Sequence, residues 1–485
     1  MRRLFKLSAL ALLALAALCL PACRGRDGVQ SRADEIDRLV TAYSERGQFN
    51  GAVLVAEAGR VIYKRGFGFA DFDNKVPNAA DTRFRIGSLT KSFTALLVLQ
   101  LVERGDLKLD GAVSDYLPDY PKQTGSKITV RHLLTHSSGL PDYNSFPGFF
   151  KEVQGGHYSD AELVEQISRY ELKFEPGTGV SYSNDGYLLL GAIIERVTGR
   201  PYESALEENI FAPLGMKDSG YSRQDAHARQ RAPGYRKSLS GYEETPHYRE
   251  SPASGIYSTV GDLYLWDQAL YGDRLLSDEY RRLMFEPNAE GLTYGWKVGE
   301  ATVEPAHRRL KVIEQDGQVF GYNALIVRLV DDRHLIVLVS NVRTVKLRDM
   351  SDQLVKVLYG RPYELPKQSM SDELASALRE QGVAAALARY QYLRQHHAES
   401  YYTDEAEMND LGYMLIKSKR FDEAIEVLKL NTALYPQSAN AFDSLGEAYL
   451  LHGDKELALL SYQKSVELNP RNAAAVRVIE ELKRQ

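Results

Sequence analysis

Cysteine is nearly absent: there are two in 485 residues, and both fall within the first 23. A chain so poor in thiols has no disulfide framework, and past residue 23 it offers neither a cysteine nucleophile nor a cysteine metal ligand. An excess of charge is lacking too. The 60 Lys and Arg against 65 Asp and Glu leave a net charge of −5, which gives no electrostatic footing for nucleic acid as a partner. Beyond the first 20 residues no run is apolar enough to span a membrane. The rest of the composition, 44% apolar and 26% charged, is that of an ordinary globular protein. The length suffices for two or three domains with a large core.

What is there begins with a basic-then-apolar start. Arg2, Arg3 and Lys6 precede an apolar run from Leu7 to Leu20, too short to span comfortably and readable as a secretory leader. Its end, Leu20-Pro21-Ala22-Cys23, resembles the lipobox of bacterial lipoproteins. That resemblance implies removal of residues 1–22, a lipid on Cys23 and a tether over 23–33. The chain would then sit in the bacterial cell envelope, on the extracytoplasmic side, with the lipid as its membrane anchor. A plain leader with Cys23 incidental is the competing reading.

The chain turns on Phe84-Arg85-Ile86-Gly87-Ser88-Leu89-Thr90-Lys91 and the apolar, helically spaced residues that follow. A helix starting near Ser88 puts Ser88 and Lys91 one turn apart on one face. A serine hydroxyl needs something to take its proton. A lysine buried at a helix start is penalised as a cation by desolvation and by the helix dipole, so it can serve as that base. The backbone N–H of Ser88, free at the helix start, can face an oxyanion. The spacing alone is weak evidence, since Ser461 and Lys464 repeat it elsewhere.

Around this stretch the pattern alternates between strand and helix. A helix over Asp34–Glu45 precedes a hairpin, Phe49–Glu57 with Arg60–Lys64. Helices follow the serine segment, among them Leu188–Val197, Tyr202–Phe211 and Val260–Leu270. Strand signals return at Tyr294–Val298, Leu310–Glu314, Phe320–Val330 and His334–Ser340, before a helix near Met350–Leu358. Strands at both ends with helices between them predict an α+β domain over 34–362, its sheet joining the N-terminal hairpin to the C-terminal strands. His132 and His136 stand four apart, but no Glu follows His132 and no third ligand is evident. Packing or capping histidines are the expectation, with no metal and no cofactor.

After a linker at 363–373 the strand signals vanish and the residues repeat. Leu411-Gly412, Ala424 and Pro436 recur 34 positions on as Leu445-Gly446, Ala458 and Pro470. That period resembles tetratricopeptide repeats, which implies an all-α repeat domain over 374–485 able to hold a protein partner.

Residues of about 47–345 resemble the serine β-lactamase-like hydrolases: class C β-lactamases, D-alanyl-D-alanine carboxypeptidases and related esterases. The match rests on the Ser88–Lys91 stretch, on His132-Leu133-Leu134-Thr135-His136-Ser137-Ser138-Gly139-Leu140, on Tyr182-Ser183-Asn184, and on Gly255-Ile256-Tyr257-Ser258-Thr259. It implies Ser88 as the acylated nucleophile, Lys91 as its proton acceptor and Tyr182 as the proton donor to the leaving group. Nearby Lys91, as a cation, is expected to lower the Tyr182 phenol pKa. Asn184 would bind a substrate amide or position Lys91. The best match to the family's third motif is Gln315-Asp316-Gly317-Gln318, where by the resemblance Gly317 would let the backbone approach a substrate and the Gln318 N–H would be a second oxyanion donor. Gln315 lacks the positive charge usual there. The expectation is therefore a serine hydrolase of small-molecule, ester or peptide-like substrates. A weak or inactive hydrolase scaffold, working through its repeats, is the alternative.

Overall fold

The structure is a computed structural model and describes residues 29–142, 159–221, 231–246, 250–288, 290–303 and 308–484. The leader and Cys23 lie outside the described residues. The chain divides into two compact units. One comprises residues up to Tyr235 together with Glu244–Glu364, the other Arg236–Glu243 together with Leu365–Gln485.

The first unit is built on a six-stranded antiparallel sheet. Its strands are β1 (Gly51–Glu57), β2 (Arg60–Phe67), β3 (Lys297–Val303), β4 (Arg308–Val319), β5 (Tyr322–Leu329) and β6 (His334–Ser340), in the order β2-β1-β6-β5-β4-β3. The N-terminal hairpin thus joins the C-terminal strands, with Gly51 opposite Ser340 and Ala56 opposite Leu335. The sequence predicts this closure because both ends carry apolar strands and neither alone makes a sheet wide enough to cover.

Strand alternation sorts the side chains onto two faces. Ala52, Leu54, Ala56, Leu335, Val337 and Val339 join one large core, while Val53, Val55, Ile336 and Leu338 are buried on the opposite face. The first face receives α2 (Thr90–Glu103), whose residues Thr90 to Leu99 are all buried. A helix buried on every side is a central element. Each of its large apolar side chains contributes about 1.5–3 kcal/mol when removed from water. On α5 (Leu347–Leu358), Met350, Leu354 and Val357 are buried, as are Ile36, Leu39 and Val40 of α1, which spans 29–45. The expected tether at 23–33 therefore overlaps a helix already formed at 29.

Two helices matter for the site. The expected helix at Leu188–Val197 starts four residues earlier, as α3 (Asn184–Thr198), because the Ser183 hydroxyl accepts from Gly186 N and caps it. α4 (Val260–Ala269) is capped by Thr259, whose side chain accepts from Asp262 N.

The second unit is helical: α6 (Met370–Gln381), α7 (Val383–His396), α8 (Glu405–Lys417), α9 (Phe421–Leu434), α10 (Ala439–His452), α11 (Lys455–Leu468) and α12 (Ala473–Arg484). α8 and α10 begin 34 residues apart, as do α9 and α11 (405 and 439; 421 and 455). A Cβ on Gly412 would lie 2.6 Å from Leu428, and one on Gly446 3.1 Å from Tyr462. Small residues at equivalent places let each helix pair close. α6 starts inside the expected linker at 363–373. The unit also takes in the hairpin Arg236–Glu243, for which no sequence signal was read. There Lys237 pairs with Asp372 at 2.6 Å, and Leu239 is buried among Met370, Leu374 and Leu378.

Candidate active site

Ser88 sits in a tight turn, Gly87–Leu89, that runs into α2. Gly87 has a φ of +54°, open to glycine but strained for other residues. A Cβ there would fall 2.7 Å from Gln318 N, and a Cβ on Gly317 would fall 2.0 Å from Ile86 O and 2.8 Å from Ser88 N. Two glycines thus let β4 lie directly against the peptide of the serine. The backbone amides of Ser88 and Gln318 meet in one neighbourhood, as two oxyanion donors must.

Lys91 is fully buried, with Nζ 3.1 Å from Ser88 Oγ, 2.7 Å from Asn184 Oδ1 and 2.9 Å from Ala253 O. Burial drives its pKa down to about 7, against the opposing pull of Asp142 and Asp316. The three partners suit a neutral amine. Its two N–H groups can go to the two carbonyl oxygens, and its lone pair can accept the Ser88 hydroxyl proton.

Asn184 is the first residue of α3, and its amide is held at both ends. Backbone N and side-chain Nδ2 each donate to Asp142 Oδ2 at 2.8 Å, leaving Oδ1 turned to Lys91. Of the two roles expected for Asn184, the geometry serves the positioning of Lys91. Asp142, 8% exposed, is one of the residues that sequence reasoning missed. It stands in no motif, and only the fold brings it to Asn184.

The Tyr182 hydroxyl donates to Ser88 Oγ at 2.8 Å. Its ring stacks on His136, centroids 4.4 Å apart and planes 27° apart. His136 has a φ of +57°, and its Nδ1 accepts from Ser183 N. Burial, with the Lys91 charge, pushes the imidazole pKa down to about 3, so a neutral ring supports the tyrosine. Although 38% of Tyr182 is accessible, its hydroxyl end is enclosed, and burial raises the phenol pKa above its ordinary value. This corrects the expectation of a lowered pKa. Desolvation, with the charges of Asp316 and Asp142, outweighs the lowering effect of the hydrogen bond to Ser88.

Gln315 does not face the site mouth. It is 4% exposed, and its Nε2 donates to Ser88 O at 3.3 Å, so it braces the nucleophile's peptide instead. Next to it Asp316 accepts from Lys297 Nζ at 2.7 Å, both side chains remaining about two-fifths exposed. His132 caps its own helix: Thr129 Oγ1 accepts from His132 N, and His132 Nδ1 accepts from Thr129 N. Among the described residues no group of three potential metal ligands occurs. The second Ser-x-x-Lys is spent on ordinary helix contacts, Ser461 Oγ on Leu457 O and Lys464 on Glu467.

Comparison with known proteins agrees with this geometry. A family model described as Beta-lactamase matches residues 36–358. Penicillin-binding protein 4* of Bacillus subtilis (strain 168) is 30% identical over 365 residues, covering 70% of this chain and 79% of that protein. Esterase EstB of Burkholderia gladioli is 38% identical over 192 residues, 37% of this chain and 49% of its own length. The crystal structure of D-amino acid amidase from Ochrobactrum anthropi SV3, complexed with L-phenylalanine amide, superposes with a TM-score of 0.58. It is 26% identical, over 69% of this chain and 98% of that one.

Proposed function

Because the chain belongs to the beta-lactamase family of serine hydrolases, we propose that it hydrolyses an ester, amide or peptide-like substrate through an acyl-Ser88 intermediate. One observation carries the reading: Ser88 Oγ lies between Lys91 Nζ at 3.1 Å and Tyr182 OH at 2.8 Å, a base on one side and an acid on the other.

Neutral Lys91 takes the hydroxyl proton as Oγ bonds to the substrate carbonyl carbon. The carbonyl electron pair moves onto oxygen, which the N–H groups of Ser88 and Gln318 stabilise. When the bond to the leaving group breaks, Tyr182 gives that group its proton. A phenol whose pKa is raised stays protonated for this step. Lys91 then gives the proton it took to the Tyr182 phenolate, which restores both groups. Water then attacks the acyl carbon, its proton passes through the same groups to Ser88 Oγ, and the bond between Oγ and the acyl carbon breaks to release the acid product.

Intact-mass analysis after exposure to a fluorophosphonate tests the reading. One adduct on the Ser88 peptide is expected, absent from a folded Ser88→Ala variant. Labelling that survives Ser88→Ala, or none on folded wild type, rejects it.

The 34-residue recurrence of α8 and α9 as α10 and α11 supports tetratricopeptide-type repeats that hold a protein or peptide. The Leu20–Cys23 stretch supports a lipid-anchored envelope protein. A tryptic N-terminal peptide starting at unmodified Cys23, or at another residue, would reject the anchor.

A further inference from the structure

The missing third-motif cation has a counterpart one residue on. Gln315 is uncharged, buried and committed to Ser88 O. Asp316 is the charged side chain that β4 carries next to Gly317, whose backbone presses on Ile86 O and Ser88 N. β3 pairs with β4 only as far as Lys297 opposite Glu314. From Gln315 to Val319 that edge of β4 has no strand partner among the described residues, so Asp316 stands where the open edge begins. Two carboxylates, Asp142 and Asp316, act on Lys91 and Tyr182. Asp142 is buried against Asn184, whereas the side chain of Asp316 is 43% exposed. Only its Oδ1 is engaged, by Lys297, while Oδ2 has no hydrogen bond among the described residues. A half-exposed pair of this kind is held only weakly against water, so a ligand cation can replace the lysine.

We propose that Asp316 is a specificity residue for a substrate ammonium: the enzyme takes amino-acid esters, amides or short peptides with an unblocked amino group near the scissile carbonyl, and Lys297 holds the carboxylate until that ammonium displaces it. A substrate carboxylate in the same place would meet Asp316 with no cation at Gln315 to offset it. The inference rests on the acyl-Ser88 reading.

The test uses three p-nitroanilides of one amino acid, with the amine free, acetylated or succinylated, over both enantiomers. Wild type should favour the free amine over the acetylated form by at least tenfold in kcat/KM, with the succinylated form poorest. Asp316→Asn should reduce that ratio at least tenfold, and Lys297→Met should increase it. A wild type that prefers the succinylated form, or a ratio untouched by Asp316→Asn, overturns the proposal. Fluorophosphonate labelling and thermal unfolding of each variant separate the two failures. Labelled, folded protein without amine preference sinks the Asp316 assignment alone, and unlabelled wild type sinks the hydrolase reading beneath it.

Discussion

Asp142 Oδ2 receives two hydrogen bonds from one residue, Asn184, at 2.8 Å each, and so decides which end of that amide meets Lys91. The base is thus aimed from two residues away. Asp142→Ala should leave the buried N and Nδ2 of Asn184 unpaired, at a cost of about 1–3 kcal/mol for each such group. Misplacing the base should slow acylation by about 100-fold. Asp142 also raises the Lys91 pKa, so the acid limb of the variant's rate profile should move to lower pH. Stopped-flow acylation from pH 5 to 9 reads both effects, and an unmoved limb would count against the arrangement.

Lys91 gives the profile its shape. With its pKa near 7 in the folded protein, against 10.5 ordinarily, acylation should rise with pH through about 7 as the amine loses its proton. Stability carries the same sign. Between about pH 7 and 10.5 the unfolded chain holds a proton that the folded chain does not, so stability rises with pH across that window. Below about 7 both states are protonated and this contribution is flat. Urea unfolding of wild type should show a gain from pH 7 to 9.5 that Lys91→Met loses.

Tyr182→Phe separates leaving groups. The phenol donates a proton, which an amine leaving group needs more than a p-nitrophenolate does. An anilide or amide should lose about 10²–10⁴-fold in kcat/KM, and an activated ester much less. Equal losses on both would assign Tyr182 to the attack step rather than to departure.

Gly317→Ala tests the approach of β4 to the nucleophile. The added Cβ would fall 2.0 Å from Ile86 O, so strand and turn must part. With Gln318 N drawn away, acylation should fall by about 10²–10³-fold, the effect of losing one oxyanion donor. Labelling near wild-type speed in a folded variant would show that the strand amide is not that donor.

Period and spacing alone carry most strands, most helices and the 34-residue repeat, because those signals depend on neighbours along the chain. The strand expected at Tyr294–Val298, however, runs from Lys297 to Val303, and the one expected at Leu310–Glu314 runs on to Val319. The Ser88–Lys91 pair was readable for the same reason: one helical turn brings the two side chains together whatever surrounds them. The family resemblance also pointed to Gly317, though not to the peptide of Ser88 that it touches. Asp142, Ala253 and Lys297 were silent, since each reaches the site through a loop or strand whose place depends on the whole sheet. Ionisation belongs to the tertiary structure as well. Lys91 near neutrality and Tyr182 as a firm phenol follow from the removal of water around them, and burial of that kind exists only once the helices close over the sheet.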